Sequence, residues 1–201
     1  MAEESIYEIA AQEYDNLTEF LINHVFPARE EYERKHGNDK YKAEYGIASF
    51  DLLLQFSLLQ IAVADGKIDS SEIHFIKDLF KHTSIVDFYR AHGLDNLTWE
   101  DFEHISVDKL DNLLKQSNDD ISDIAVDFAE SFLYFDSNTP NKDYLAALER
   151  SIYAFAFAVM SADGEPSDVE KNAGCLMFGV FNCFKDKKQK LTGQIKNGSP
   201  S

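Results

Sequence analysis

The sequence predicts an all-α, single-domain bundle of seven to eight helices built around an internal pseudo-two-fold repeat. Three observations carry that prediction. Apolar residues recur at helical rather than alternating spacing along almost the whole chain. Proline is scarce, with four in 201 residues. A turn-forming motif also occurs twice, each time after a long apolar run. The hydrophobic share of 44% and the aromatic share of 13% provide enough apolar surface to drive folding.

The elements follow in order. A first helix is predicted from about Ser5, with Ile6, Ile9, Ala10 and Leu17 on one face, and Pro27 should kink or end it before a charged stretch to Gly37. The segments from about Tyr41 to Ala64 and from Asp143 to Ala162 are apolar on nearly all sides, as central bundle helices are. Thr98 with Asp101 can open a short helix, and Ile121, Ile124, Ala125, Phe128 and Phe132 form a clear stripe with Asn118 as its N-cap. From Asp95 to Glu130 eleven acids face only Lys109 and Lys115, which reads as a solvated connector with modest core contacts. The predicted organisation is an N-terminal helix and charged connector over 1–40, a helical domain over 41–184 with an acidic insert at about 95–130, and a basic flexible tail over 185–201.

Charge excludes some functions. Nineteen Lys and Arg against 36 Asp and Glu leave a net charge of -17, which repels phosphate backbones and anionic lipid heads. No direct contact with nucleic acid is expected, whereas a protein partner is, and charge complementarity points to a basic one. The start carries Glu3, Glu4, Glu8 and Glu13 without Lys or Arg, unlike a secretory signal, and the apolar run Ile152–Ala162 is too short to cross a bilayer. These features predict a cytoplasmic protein without membrane insertion. Cys175 and Cys183, eight residues apart in an apolar stretch, read as core thiols. Phosphate loops, nucleophile elbows, zinc-protease motifs and paired Glu-x-x-His signatures do not occur, so no enzyme activity is expected.

The repeat is the most informative feature. Ile61-Ala-Val-Ala-Asp-Gly-Lys-Ile-Asp-Ser-Ser-Glu72 aligns with Val159-Met-Ser-Ala-Asp-Gly-Glu-Pro-Ser-Asp-Val-Glu170 at an offset of 98 residues. Gly66 and Gly164 can close a helix in the left-handed conformation, while Asp69 to Glu72 and Ser167 to Glu170 have the form of capping boxes opening the next. Each copy is thus a helix, a tight turn and a helix. The double Ala-Asp-Gly-x5-Glu pattern resembles the TerB-like family of tellurite-resistance-associated proteins, over roughly Phe50 to Phe184. The resemblance implies an all-helical domain in a bacterial, stress-related setting and a non-enzymatic acidic site for a divalent cation. Carried over residue by residue, the metal candidates are Asp65, Asp69, Glu72, Asp163 and Glu170. Ser167 departs from the pattern, standing where the first copy has Asp69.

Two readings of these acids stay open. A complete calcium loop is absent, because loop positions one and three fall on Ile61 and Val63 and on Val159 and Ser161. Ca²⁺ or Mg²⁺ could still be held if Asp65, Glu72, Asp163 and Glu170 converge. Alternatively the glutamates satisfy helix-start amides and the aspartates sit in turns, so that the motif is purely structural. His74, Asp78 and His82, each four residues from the next, offer spacing for Zn²⁺ but also fit a solvated helix face. Trp99 among acids reads as a packing anchor or a partner contact.

Overall fold

The computed structural model describes residues 5–139, 144–162 and 166–174. Among the described residues the regular structure is entirely helical. The helices are α1 (Ile6–Phe20), α2 (Phe26–Lys35), α3 (Ala43–Ala62), α4 (Ser70–Leu79), α5 (Ile85–Ala91), α6 (Trp99–Glu103), α7 (Val107–Gln116), α8 (Asn118–Asn138) and α9 (Tyr144–Met160). A further helical run covers residues 168–174. The nine helices among the described residues exceed the predicted seven to eight because α2, α5 and α7 add to the elements read from the sequence, whereas α6 opens at Thr98 as expected.

The first helix starts where predicted, with Ser5 and Glu8 forming a capping box. Its buried face is Ala10, Tyr14, Leu17 and Thr18, whereas Ile9 is 43% exposed. Pro27 does not end it. A π-helical segment, Leu21–Val25, links α1 to α2, and the Phe26 N–H reaches back five residues to the Leu21 carbonyl. The wider turn changes the bonding register just before Pro27, which then sits in the first turn of α2, where its missing N–H costs least.

α3 lies at the centre. α8, α9, α4 and α2 all pack on it, and α5 and α7 cover the rest of its length. Phe50 of α3 meets Phe128 of α8 with ring centroids 5.4 Å apart, and Phe128 in turn meets Phe26 of α2. Phe20 beside Tyr144 and Tyr14 beside Phe155 set α1 and α9 antiparallel. The segment from Asp95 to Glu130 contributes more than modest contacts. Phe102, Leu110, Leu114 and Phe128 are buried there, because the acids occupy only the outer faces of α7 and α8. Nor does Asn118 cap α8. Ser117 precedes the helix with no side-chain cap bond, and its own N–H still bonds to the Leu113 carbonyl, so α7 runs almost directly into α8.

By length and composition α3 is a helix that could cross a membrane, a property that the shorter apolar run at 152–162 does not have. Here 61% of its apolar stretch is buried against neighbouring helices, and the helix carries the buried polar residues Asp51 and Gln55.

Candidate functional site

The first elbow joins α3 to α4. Val63 and Ala64 close α3 through bonds to the Leu59 and Ile61 carbonyls, and Gly66 follows at φ +83°, a conformation that glycine adopts without a Cβ penalty. Asp65 accepts the Lys67 N–H at 2.8 Å, which makes the turn. Asp69 accepts the Ser71 N–H at 2.8 Å, and the Asp69 N–H donates to Glu72 Oε2 at 3.0 Å, completing the predicted capping box. The Ser71 hydroxyl and amide together hold the Asp69 carboxyl below its ordinary pKa.

The second elbow follows α9. Ser167 replaces an aspartate but performs the same task. Its N–H donates to Glu170 Oε2 at 2.6 Å, and the Glu170 N–H donates to Ser167 Oγ at 3.2 Å. Glu72 and Glu170 are both buried, at 3% and 5% exposure. The elbows approach each other where Ser71 Oγ donates to the Ala162 carbonyl at 3.2 Å. Asp65, Asp69, Glu72 and Glu170 therefore each accept an amide of their own turn. Asp163, together with Gly164, lies outside the described residues, as do Cys175 and Cys183.

Among the described residues, no group of three His, Cys, Asp or Glu side chains is placed to share a metal ion. Of the stripe His74, Asp78, His82, the first residue has partners elsewhere. His74 Nδ1 lies 2.6 Å from the Ser70 carbonyl, and its Nε2 lies 3.3 Å from Glu103, which also pairs with Lys77. Trp99 is half-buried and meets Phe102 with ring centroids 5.6 Å apart, a local packing contact.

Two buried polar clusters were not anticipated. Asp51 is fully buried on α3 and accepts the Tyr14 hydroxyl at 2.8 Å and the Thr83 and His82 N–H groups at 3.0 and 3.3 Å. One turn on, Gln55 donates to the Thr83 carbonyl at 2.7 Å and accepts the Ile85 N–H at 3.0 Å. Burial raises the Asp51 pKa, opposed by these hydrogen bonds, and burial beside that carboxylate drives the Tyr14 phenol far above its ordinary value. The cluster fastens the α4–α5 loop to α3 and α1. A sequence signal existed in the spacing of Asp51 and Gln55, two polar residues one turn apart in an otherwise apolar run.

The second cluster centres on Arg29 of α2, 5% exposed. Its guanidinium donates to the Asp127 carbonyl and to Ser131 Oγ, pairs with Asp127 at 2.7 Å and Glu130 at 3.3 Å, and lies 4.1 Å over the Tyr41 ring. Arg29 therefore clamps α2 to α8. Gln55, His82 and Thr83 of the first cluster also line an opening of about 180 Å³ beside the α4–α5 loop, while Asp51 itself is fully buried behind them. No protein-family model, curated protein or solved structure matches the chain.

Proposed function

We propose that this chain is a non-catalytic, TerB-like helical domain that serves as an interaction module for a basic protein partner in the bacterial cytoplasm, in a stress setting of the tellurite-resistance kind. The observation that carries this reading is that Asp65, Asp69, Glu72 and Glu170 each accept backbone amides of their own elbow. The repeated Asp-Gly-x5-Glu pattern is then an architectural device that starts and stops helices in two hairpins related by a pseudo-two-fold axis. Function falls to the surface, whose net charge of -17 favours cationic partners and disfavours nucleic acid. In this reading Asp51 is structural, its carboxylate accepting the Tyr14 hydroxyl and loop amides.

A second reading adds a divalent cation, Ca²⁺, Mg²⁺ or Zn²⁺, between the elbows. It is favoured by the Ser71 to Ala162 hydrogen bond, which brings the two turns together, and by the burial of Glu72 and Glu170. Thermal melts of the wild type and of the Asp65→Asn/Asp163→Asn double variant, with Ca²⁺, Mg²⁺, Mn²⁺ or Zn²⁺ added, separate the two readings. A cation at 100 times its Kd would stabilise the fold by about 2.7 kcal/mol. The first reading expects no cation-dependent rise in Tm and equal partner capture with and without chelator. A rise that the double variant loses would replace it with the second.

A further inference from the structure

We propose that the groove between the first elbow and α7 is the docking site for the basic partner, and that it takes a short segment carrying Lys or Arg beside small apolar side chains. This rests on the reading of the chain as an interaction module and names the surface responsible. The groove has a volume of about 520 Å³ and is lined by Gln60, Val63, Ala64, Val107, Asp111 and Leu114. That size lies within the range of about 300–1,000 Å³ typical of ligand sites. Its floor is apolar, with Leu114 only 2% exposed and Val63, Ala64 and Val107 half-buried around it. Gly66 contributes to one wall, and a Cβ built there would meet nothing within 4 Å, so the wall stays open at that point.

The charge of the occupant follows from what ends in the groove. α3 runs for 20 residues and has no basic residue in its last turn, so the negative end of its dipole is uncompensated within the helix. The elbow amides satisfy the Leu59, Ile61 and Val63 carbonyls, while those of Gln60 and Ala62 receive no hydrogen bond from the described residues. Lys and Arg side chains satisfy such carbonyls well. Asp111, the lining carboxylate, pairs at 2.6 Å with Lys115, which also lines the groove and whose side chain is 72% exposed. A pair that open to water contributes little, so an incoming cation can take the place of Lys115. The opening beside the α4–α5 loop differs, since Lys77, Lys81 and His82 line it with Asp87 as the one carboxylate among its lining residues.

The test is an NMR titration of the ¹⁵N-labelled full chain with the acetylated, amidated peptide Lys-Leu-Ala-Lys-Ala-Leu-Lys-Lys, and with its counterpart carrying Glu for every Lys. The amides of Ala64, Gly66, Val107 and Lys115 should move together with the basic peptide only. Ala64→Trp, which fills the groove, and the surface change Asp111→Lys should each weaken the Kd at least tenfold, while Val126→Lys on the outer face of α8 should leave it within twofold. Far-UV circular dichroism checks that the variants fold, and Asp111→Lys keeps the test decisive if Ala64→Trp does not. Shifts spread over the acids of α6 and α8, with a Kd indifferent to both groove variants, would overturn the groove while leaving the interaction module standing. Absence of binding by the basic peptide would overturn the groove as well, and partner capture then decides the module separately. If Lys185→Glu, Lys187→Glu and Lys188→Glu together move the groove amides with no peptide present, the chain's own lysine-rich end is the occupant. If the same amides shift with protein concentration alone, the occupant is a second copy. Either result overturns the proposal.

Discussion

Gly46 shows how closely single residues are constrained. A Cβ placed there would come within 2.7 Å of Phe26 Cε1 and closer still to Cγ and Cδ1, so α2 and α3 touch backbone to ring. Phe26 is fully buried and has no free space into which to retreat. Gly46→Ala should therefore destabilise the fold by about 1–3 kcal/mol through overpacking, despite the higher helix propensity of alanine, as urea denaturation would measure. Asp51 gives a prediction with a defined sign. Burial raises its pKa, so the folded state holds the proton more tightly than the unfolded chain. Its contribution is present below the ordinary carboxylate value and is lost as pH rises through the raised one. Asp51→Asn should cost about 1–3 kcal/mol at pH 4 by disturbing the Tyr14 and Thr83 bonds, and measurably less at pH 7. An equal cost at both pH values would contradict the assignment. The exposed Asp69 behaves oppositely, since its lowered pKa favours the fold above the ordinary value and loses that contribution as pH falls.

At the scale of elements, the elbows use two different N-cap residues for one task. Asp69 and Ser167 both present an oxygen to their own helix start, and Glu72 and Glu170 return the bond to the N-cap amide. Ser167→Ala should cost about 1 kcal/mol, and Ser167→Asp should retain the stability of the wild type, as thermal melts would show. Glu72→Gln keeps an oxygen for the Asp69 N–H and should be tolerated better than Glu72→Ala, which leaves that amide without its acceptor. These caps were legible because a capping box is a local pattern of four residues. The π-helical segment was not, because Pro27 announces only that a hydrogen bond is missing. Whether the chain ends the helix or widens one turn depends on the surroundings, and here Leu21, Val25 and Phe26 are all fully buried, which favours continuing. Nor did the stripe His74, Asp78, His82 announce that His74 would lie beside Glu103 of α6, a residue 29 positions further on.

Across the whole molecule, α8 and α3 share one aromatic core despite lying far apart in sequence. Phe128 meets Phe26, Phe50 and Phe132, so its truncation opens a cavity between three helices. Phe128→Ala should cost about 3–5 kcal/mol. Trp99, the single tryptophan, sits on α6 at a distance in sequence from that contact. Its fluorescence and the far-UV circular dichroism should lose structure at the same denaturant concentration, in the wild type and in the variant alike. Separate midpoints would mean that the acidic region over 95–130 unfolds independently of the body.

By itself the sequence determined the helical class and the capping boxes at Asp69 and Ser167, because periodicity and capping are interactions between residues a few positions apart. The tertiary structure alone decided which polar groups in apolar helices are buried partners, as Asp51 and Arg29 are, since their acceptors and donors lie 32 and 98 residues away in the chain. It also decided that Ser71 reaches the Ala162 carbonyl and that α7 leaves a groove beside the first elbow. Contacts of that range follow from how whole helices share a core, which no local pattern encodes.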